Sequence, residues 1–135
     1  MDAVLQAMSV VFTPYHISVV LFGTMLGIFI GAMPGLSSVM GLSIMLPFTF
    51  MMEGRGSIMM LLGIFAGSIY GGSISAILLN TPGTSASAAT CMDGHPMAVE
   101  LKQPGRALGI ATFSSLFGGL FSCIALCLGA TLLAK

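Results

Sequence analysis

Residues 77–90 read ILLNTPGTSASAAT, an uncharged stretch in which a Pro-Gly pair is surrounded by amide and hydroxyl side chains. The stretch follows a long apolar run. In a membrane protein, irregular backbone beside apolar helices is tolerated only where protein or a water-filled cavity satisfies its polar groups. Broken helices of this kind hold ions and anionic substrates in secondary transporters. The fold therefore depends on whether this chain is a membrane protein.

The composition predicts that it is. Hydrophobic residues make up 56% of the 135-residue chain and charged residues only 6%, whereas a soluble domain carries about 25% charged residues. Residues 3–52, 57–92 and 107–134 contain no Asp, Glu, Lys or Arg. A spanning helix needs about 20 mostly apolar residues, so each tract can cross a bilayer. We expect a multi-pass, all-α membrane protein, and the net charge of zero gives no reason to expect nucleic-acid binding.

We expect one transmembrane domain, residues 1–135, with about 3–4 transmembrane helices and a Pro-Gly-broken or re-entrant segment. The predicted spans are 17–33, 36–52, 58–79 and 107–134. Residues 1–15 are predicted to form a short interfacial helix that ends or restarts at Thr13-Pro14, because Thr is a favoured N-cap and Pro a favoured first helical residue.

Two of these spans have uncertain ends. Only Pro34-Gly35 separates the first two, so the pair is either two crossings or one crossing followed by a re-entrant or broken element, with a kink at Pro47. The last span is 28 residues long, or about 42 Å as a helix. It is expected to tilt, to break near Gly118-Gly119 or to protrude. Residues 93–106 are expected to form an aqueous loop that opens with a turn at Asp93-Gly94.

Glycines recur every four residues in two places. One ladder comprises Gly23, Gly27, Gly31 and Gly35, and the other comprises Gly63, Gly67 and Gly71, continued by Ser75. Such ladders put small residues on one helix face and let two backbones approach closely. We predict that both lie at helix–helix contacts, either for packing alone or around a binding site.

Polar residues near the predicted breaks are candidates for binding an ion or a solute. Oxygen atoms of Asn80, Thr81 and Thr84 suit Na⁺, although a capped helix end with a tight turn would need the same residues. Asp93 is a candidate ion ligand or proton carrier, with turn formation as the alternative. Ser73 and Ser75 are predicted either to face a polar cavity or to bond back to their own helix. The remaining candidates flank the two Pro-Gly pairs or the double glycine: Pro34, Gly35, Ser37, Tyr70, Gly72, Pro82 and Gly83.

Nothing in the sequence predicts an enzyme. No Gly-x-Ser-x-Gly motif is present and no His lies within a predicted span. An intramembrane enzyme would need a nucleophile with a base, or a pair of carboxylates. We expect no cofactor beyond a possible coupling cation, Na⁺ or H⁺.

Three runs carry a family resemblance. They are GAMPGL at 31–36 with PFTF at 47–50, GSIYGGSISAILLNTPGT at 67–84, and AATCMDGHPMA at 88–98. Together they resemble the large membrane subunit of the tripartite tricarboxylate transporters, the TctA family. The resemblance covers nearly the whole chain, and the motif from Tyr70 to Pro96 is its most specific part.

The resemblance implies a secondary transporter of the bacterial inner membrane that takes up citrate-like or other carboxylates with an ion gradient. It implies two partners, a small membrane subunit and a periplasmic solute-binding protein. Because the family's large subunit has about a dozen spans in two related halves, this chain matches only its N-terminal part and would need the C-terminal part as a further partner. The alternative is a structural or assembly subunit without transport activity of its own.

Overall fold

The computed structural model describes residues 9–133, with side-chain surroundings up to residue 129. Five α-helices lie wholly within this range, and no strand occurs in it. The helices are α1 (Pro14–Ala32), α2 (Ser38–Thr49), α3 (Gly54–Leu79), α4 (Ala88–Val99) and α5 (Pro104–Leu133), with a 3₁₀ turn at Ser85–Ser87 between α3 and α4. Helices α1, α3 and α5 are long and apolar enough to cross a membrane. The predicted all-α membrane fold is confirmed.

Helix α1 begins as its sequence predicts, with Thr13 at the N-cap and Pro14 at the start of the helix. The Thr13 side chain makes no capping hydrogen bond; its hydroxyl donates to the Ser9 carbonyl instead. Most of the interfacial helix predicted for residues 1–15 falls on residues 1–8, which lie outside the described residues.

The glycine ladders join α1 and α3 in one register. A methyl group on Gly27 would collide with the Ile64 carbonyl oxygen, and one on Gly67 would collide with the Thr24 carbonyl oxygen. The same reciprocal pattern repeats one helical turn away on either side, at Gly23 and Gly31 of α1 and at Gly63 and Gly71 of α3. Higher numbers in α1 face higher numbers in α3, so the two helices run parallel. The predicted helix–helix contact is confirmed for the ladder glycines within α1 and α3, whereas Gly35 lies beyond α1 and has nothing within 4 Å of its Cβ position.

Because α1 and α3 are parallel, the segment between them must return the chain to the end where α1 begins. Helix α2 does this antiparallel to α3: its Gly41 lies against Ile30 and Ile64 side chains, and near its end the Ser57 hydroxyl donates to the Thr49 carbonyl, 2.7 Å away. Of the two alternatives for residues 36–52, a return crossing fits this packing. Only 12 residues of it are α-helical, about 18 Å, because the helix ends two residues after Pro47.

The segment after α3 is a re-entrant hairpin. The chain leaves α3 at Leu79, turns back, and brings Thr84 and Ser87 to the level of Gly72. Helix α4 then runs outward beside α3, so that Gly94 lies against Ile77. Seven residues separate Gly72 from Leu79, so the hairpin descends about 10 Å along α3.

One expectation for the C-terminal part of the chain is wrong, and one of the three alternatives for the last span is not realised. Asp93-Gly94 does not form a turn, because α4 runs through it to Val99 and also contains Pro96. Docking of Gly94 on Ile77 outweighs the local turn preference. Helix α5 is also unbroken at Gly118-Gly119, since a helix satisfies its own backbone in an apolar medium. Nothing lies within 4 Å of the Cβ position of either glycine.

Candidate functional site

The tip of the hairpin begins where α3 ends at Asn80. This residue is the C-cap of α3 and has a left-handed backbone, with φ of 54°. Asn is one of the few residues besides glycine that adopts this conformation readily. The capped helix end, one of the two interpretations of Asn80, is therefore present in the structure. The Asn80 side chain is exposed within residues 9–133.

Thr84 and Ser87 form a capping box at the bottom of the hairpin. The Thr84 amide donates to the Ser87 hydroxyl over 3.2 Å, and the Ser87 hydroxyl donates to the Thr84 carbonyl over 2.7 Å. Both residues are buried, with 6% of Thr84 and 1% of Ser87 exposed. They lie on Gly72, whose Cβ position is only 2.7 Å from the Thr84 hydroxyl oxygen. Gly72 therefore provides the space that this hairpin occupies.

The three residues predicted to share a Na⁺ ion do not converge. The Thr81 hydroxyl donates to the Leu79 carbonyl over 3.1 Å, and Asn80 and Thr81 are exposed. The Thr84 hydroxyl contacts Ser87 instead. In this arrangement the polar groups of residues 80–84 mainly satisfy the hairpin itself.

Gly83 brings the hairpin into contact with both long helices. Its Cβ position lies against the Gly31 carbonyl oxygen of α1 and 2.9 Å from the Ser75 hydroxyl oxygen of α3. No larger residue fits without moving α1 or α3. Pro82, directly before it, is exposed.

The first Pro-Gly pair lies at the same end of the molecule, four residues beyond Gly31. Pro34 and Gly35 are exposed, and Gly35 has a φ of +95° that favours glycine. Ser37 is the N-cap of α2, and its hydroxyl accepts a hydrogen bond from the Met40 amide over 3.3 Å. The two breaks in the predicted helix pattern thus meet at one end of the α1–α3 pair.

A cleft lined by both apolar and polar residues lies on the other side of the hairpin, between α3, α4 and α5. It encloses about 410 Å³. Ser73 of α3 and Asp93 of α4 line it, whereas Ser75 bonds back to the Gly72 carbonyl of its own helix over 3.1 Å. Of the two candidate serines, only Ser73 faces this cavity. Nearby, the Tyr70 hydroxyl joins α3 to α5 through the Thr112 hydroxyl, 2.7 Å away.

Sequence reasoning missed several residues of this cleft. Thr90, Ser114 and Ser115 also line it. Thr90 and Asp93 are three residues apart and so share a helical face, which is a usable signal once residues 88–99 are known to be helical. His95 was also missed: its Nδ1 lies 3.0 Å from the Ile77 carbonyl oxygen and fastens α4 to α3.

Comparisons with known proteins agree with this architecture. The model of the tripartite tricarboxylate transporter TctA family matches residues 17–135. The chain is also similar to the uncharacterized 52.8 kDa protein in the TAR-I ttuC' 3' region of Agrobacterium vitis, with 39% identity over 123 residues. That match covers 91% of this chain but 24% of the relative. No solved structure matches the chain.

The three helices that are long and apolar enough to cross a membrane, together with the family match, define the class as a multi-pass membrane protein of a transporter family. The chain belongs to the TctA family of tripartite tricarboxylate transporters. It spans about a quarter of the length of the relative from Agrobacterium vitis. Systems of this family combine the membrane component with a small membrane subunit and a solute-binding protein.

Proposed function

We propose that this chain forms the N-terminal part of a permease that takes up tricarboxylates or related carboxylates. Uptake would be driven by an ion gradient and would depend on a periplasmic solute-binding protein and a small membrane subunit, in the bacterial inner membrane. The observation that carries the proposal is the re-entrant hairpin held against the glycine faces of α1 and α3. Non-helical backbone buried among helices is how transporters form sites within the membrane.

The chain would work with more polypeptide than it contains. It spans 24% of its relative, and the half of α5 beyond residue 115 exposes large apolar side chains such as Phe117, Phe121 and Leu126. We propose that the C-terminal part of the permease completes the transport site. The carboxylate solute would then bind between the two parts, near the end where both Pro-Gly breaks meet.

The same exposed half of α5 supports one alternative, an assembly subunit that contacts other membrane helices without transporting solute itself. We assign no catalytic role, because the family is one of transporters.

Gly83→Ala separates transport from assembly. The added methyl group meets the Gly31 carbonyl, so it displaces the hairpin while leaving the charge and the helices' apolar character unchanged. We expect carboxylate uptake per assembled complex to fall about tenfold or more, since misplacing a binding site by 1 Å can cost a hundredfold. Gly109→Ala, where nothing lies within 4 Å, is the matched control and should leave uptake unchanged.

The measurement is uptake of labelled citrate in cells that express the remaining components, normalised to the complex recovered through the small subunit. If uptake per complex is the same for both variants and the parent, the chain has only the assembly role. If removing the chain leaves uptake intact, it has neither role in that system.

A further inference from the structure

We propose that the cleft between α3, α4 and α5 binds a monovalent metal cation of the Na⁺ type, with Asp93 as its charged ligand. This rests on the proposed function, for which it would be the site of the coupling ion. The cleft side chains that carry oxygen are Ser73, Thr90, Asp93, Ser114 and Ser115.

The first argument is the hydrogen bonding of the hydroxyls in the cleft. Hydroxyl groups in helices ordinarily donate to a carbonyl three or four residues earlier, and most of those in this chain do so. Examples outside the cleft are Ser18, Thr24, Ser43, Thr49, Ser68 and Thr112. The four hydroxyls that line the cleft make no side-chain hydrogen bond within residues 9–133. Ser73 and Thr90 are half-buried and Ser114 and Ser115 are exposed in this chain, so their oxygen atoms are accessible to a ligand.

The second argument is charge. Asp93 is the one charged side chain among the residues that line the cleft, and no Lys or Arg lines it. A carboxylate with no cationic partner favours a cation and disfavours a carboxylate solute. Hard cations such as Na⁺ take oxygen ligands from charged carboxylates and from neutral oxygen groups. This cleft offers one carboxylate and four hydroxyls. A single carboxylate balances a single positive charge.

The third argument is the position of Asp93. It lies in the middle of α4, where an Asp caps no helix end. Its side chain is exposed and makes no hydrogen bond to any other residue of the described range 9–133. Thr90 lies one helical turn closer to the bottom of the hairpin on the same face of α4. On α5, Ala107, Ala111 and Ser114 follow one another along the face that closes the cleft. An ion that enters past Asp93 would thus meet hydroxyls further in.

The test is binding of ²²Na⁺ to the purified full chain in lipid nanodiscs. We expect saturable binding that unlabelled Na⁺ displaces and choline does not. Asp93→Asn should lower the affinity at least about tenfold, since a charged ligand is lost. Ser73→Ala should lower it about three- to tenfold, and Asp93→Glu should retain most of the binding because it keeps the carboxylate.

Two controls make the result specific. Glu100→Gln removes the same charge from an exposed residue that does not line the cleft, and Ser75→Ala removes a hydroxyl that bonds within its own helix. Both should bind Na⁺ like the parent. Helical content and monodispersity of each variant show that it is folded.

The proposal is overturned if the parent chain shows no saturable Na⁺ binding. It is also overturned if Asp93→Asn binds like the parent, or if Glu100→Gln loses as much affinity as Asp93→Asn. Citrate uptake per complex is measured separately on the same variants. If uptake requires this chain but Asp93→Asn binds Na⁺ like the parent, the Na⁺ site is rejected and the proposed function stands.

Discussion

At the scale of single residues, the ladder glycines of α1 and α3 differ from the glycines of α5 in what surrounds their Cβ positions. The ladder glycines within α1 and α3 lie where a methyl group would meet a carbonyl of the facing helix, as Gly67 does with Thr24. Those in α5, such as Gly118, have nothing within 4 Å of the Cβ position. Identical substitutions in the two groups should therefore have opposite effects.

We expect Gly67→Ala to destabilise the chain by about 1–3 kcal/mol, the usual cost of forcing an extra methyl group into a packed contact. Gly118→Ala should be neutral or stabilising by up to about 1 kcal/mol, because alanine favours a helix more than glycine does. The measurement is unfolding of the purified chain by increasing mole fraction of SDS in mixed micelles. Equal stability of the two variants would show that the α1–α3 contact is looser than described.

Residue patterns also show what could be predicted from the sequence. The glycine ladders predicted close contacts because a four-residue repeat keeps one face small whatever the partner. The role of Asp93-Gly94 was mispredicted because its turn preference is local, whereas its helix is held through the contact of Gly94 with Ile77, seventeen residues earlier in the chain. The cleft of Ser73 and Asp93 with Ser114 needs three helices in register, which no local pattern specifies.

At the scale of elements, α4 depends on few attachments to α3. No residue of α4 is fully buried, and its polar attachment is the hydrogen bond between His95 and the Ile77 carbonyl. That carbonyl lies in the last turn of α3, where the helix offers few amide partners because it ends at Leu79. His95 thus satisfies a helix end and fixes the hairpin at once.

We expect His95→Ala to loosen α4 and to expose Cys91, which is half-buried on the same helix. Losing a partner for a partly buried carbonyl costs about 1–3 kcal/mol, so the rate of maleimide modification at Cys91 should rise about fivefold or more. Site-resolved mass spectrometry measures this rate, with the exposed Cys123 of α5 as an internal control. His95→Gln keeps a donor and should restore much of the protection. A Cys91 rate that does not change in His95→Ala would contradict this role for the hydrogen bond.

At the scale of the whole molecule, the parallel arrangement of α1 and α3 fixes which loops share a side of the membrane. The α2–α3 connection around Arg55 lies at the end where α1 begins. The connection around Lys102 lies at the opposite end, with the hairpin and both Pro-Gly pairs. Among residues 9–133, Arg55 lies at one end and Lys102 and Arg106 lie at the other. This difference in charge is too small to deduce the orientation, but the relative placement follows from packing alone.

We therefore expect single cysteines at positions 55 and 102, in a chain with the three native cysteines replaced by serine, to react from opposite sides of the membrane. The measurement uses Arg55→Cys and Lys102→Cys. Each variant is treated with an impermeant maleimide in intact cells and in inverted vesicles. One of the two should react in each preparation. Reaction of both from the same side would mean that residues 80–99 cross the bilayer instead of folding back to the end where α3 ends.

The reciprocal fit of glycine and carbonyl along α1 and α3 also restricts how the molecule can move. Each of these carbonyls packs against a glycine of the facing helix, and such glycines recur only every fourth residue. One helix can therefore shift along the other only in steps of about 6 Å. Such a step would break all of these contacts at once. Small displacements of α1 along α3 are therefore blocked, and the two helices move as one rigid unit. Any rearrangement that opens or closes the cleft must therefore come from α4 and α5, whose glycines do not pack against the backbone of a neighbouring helix.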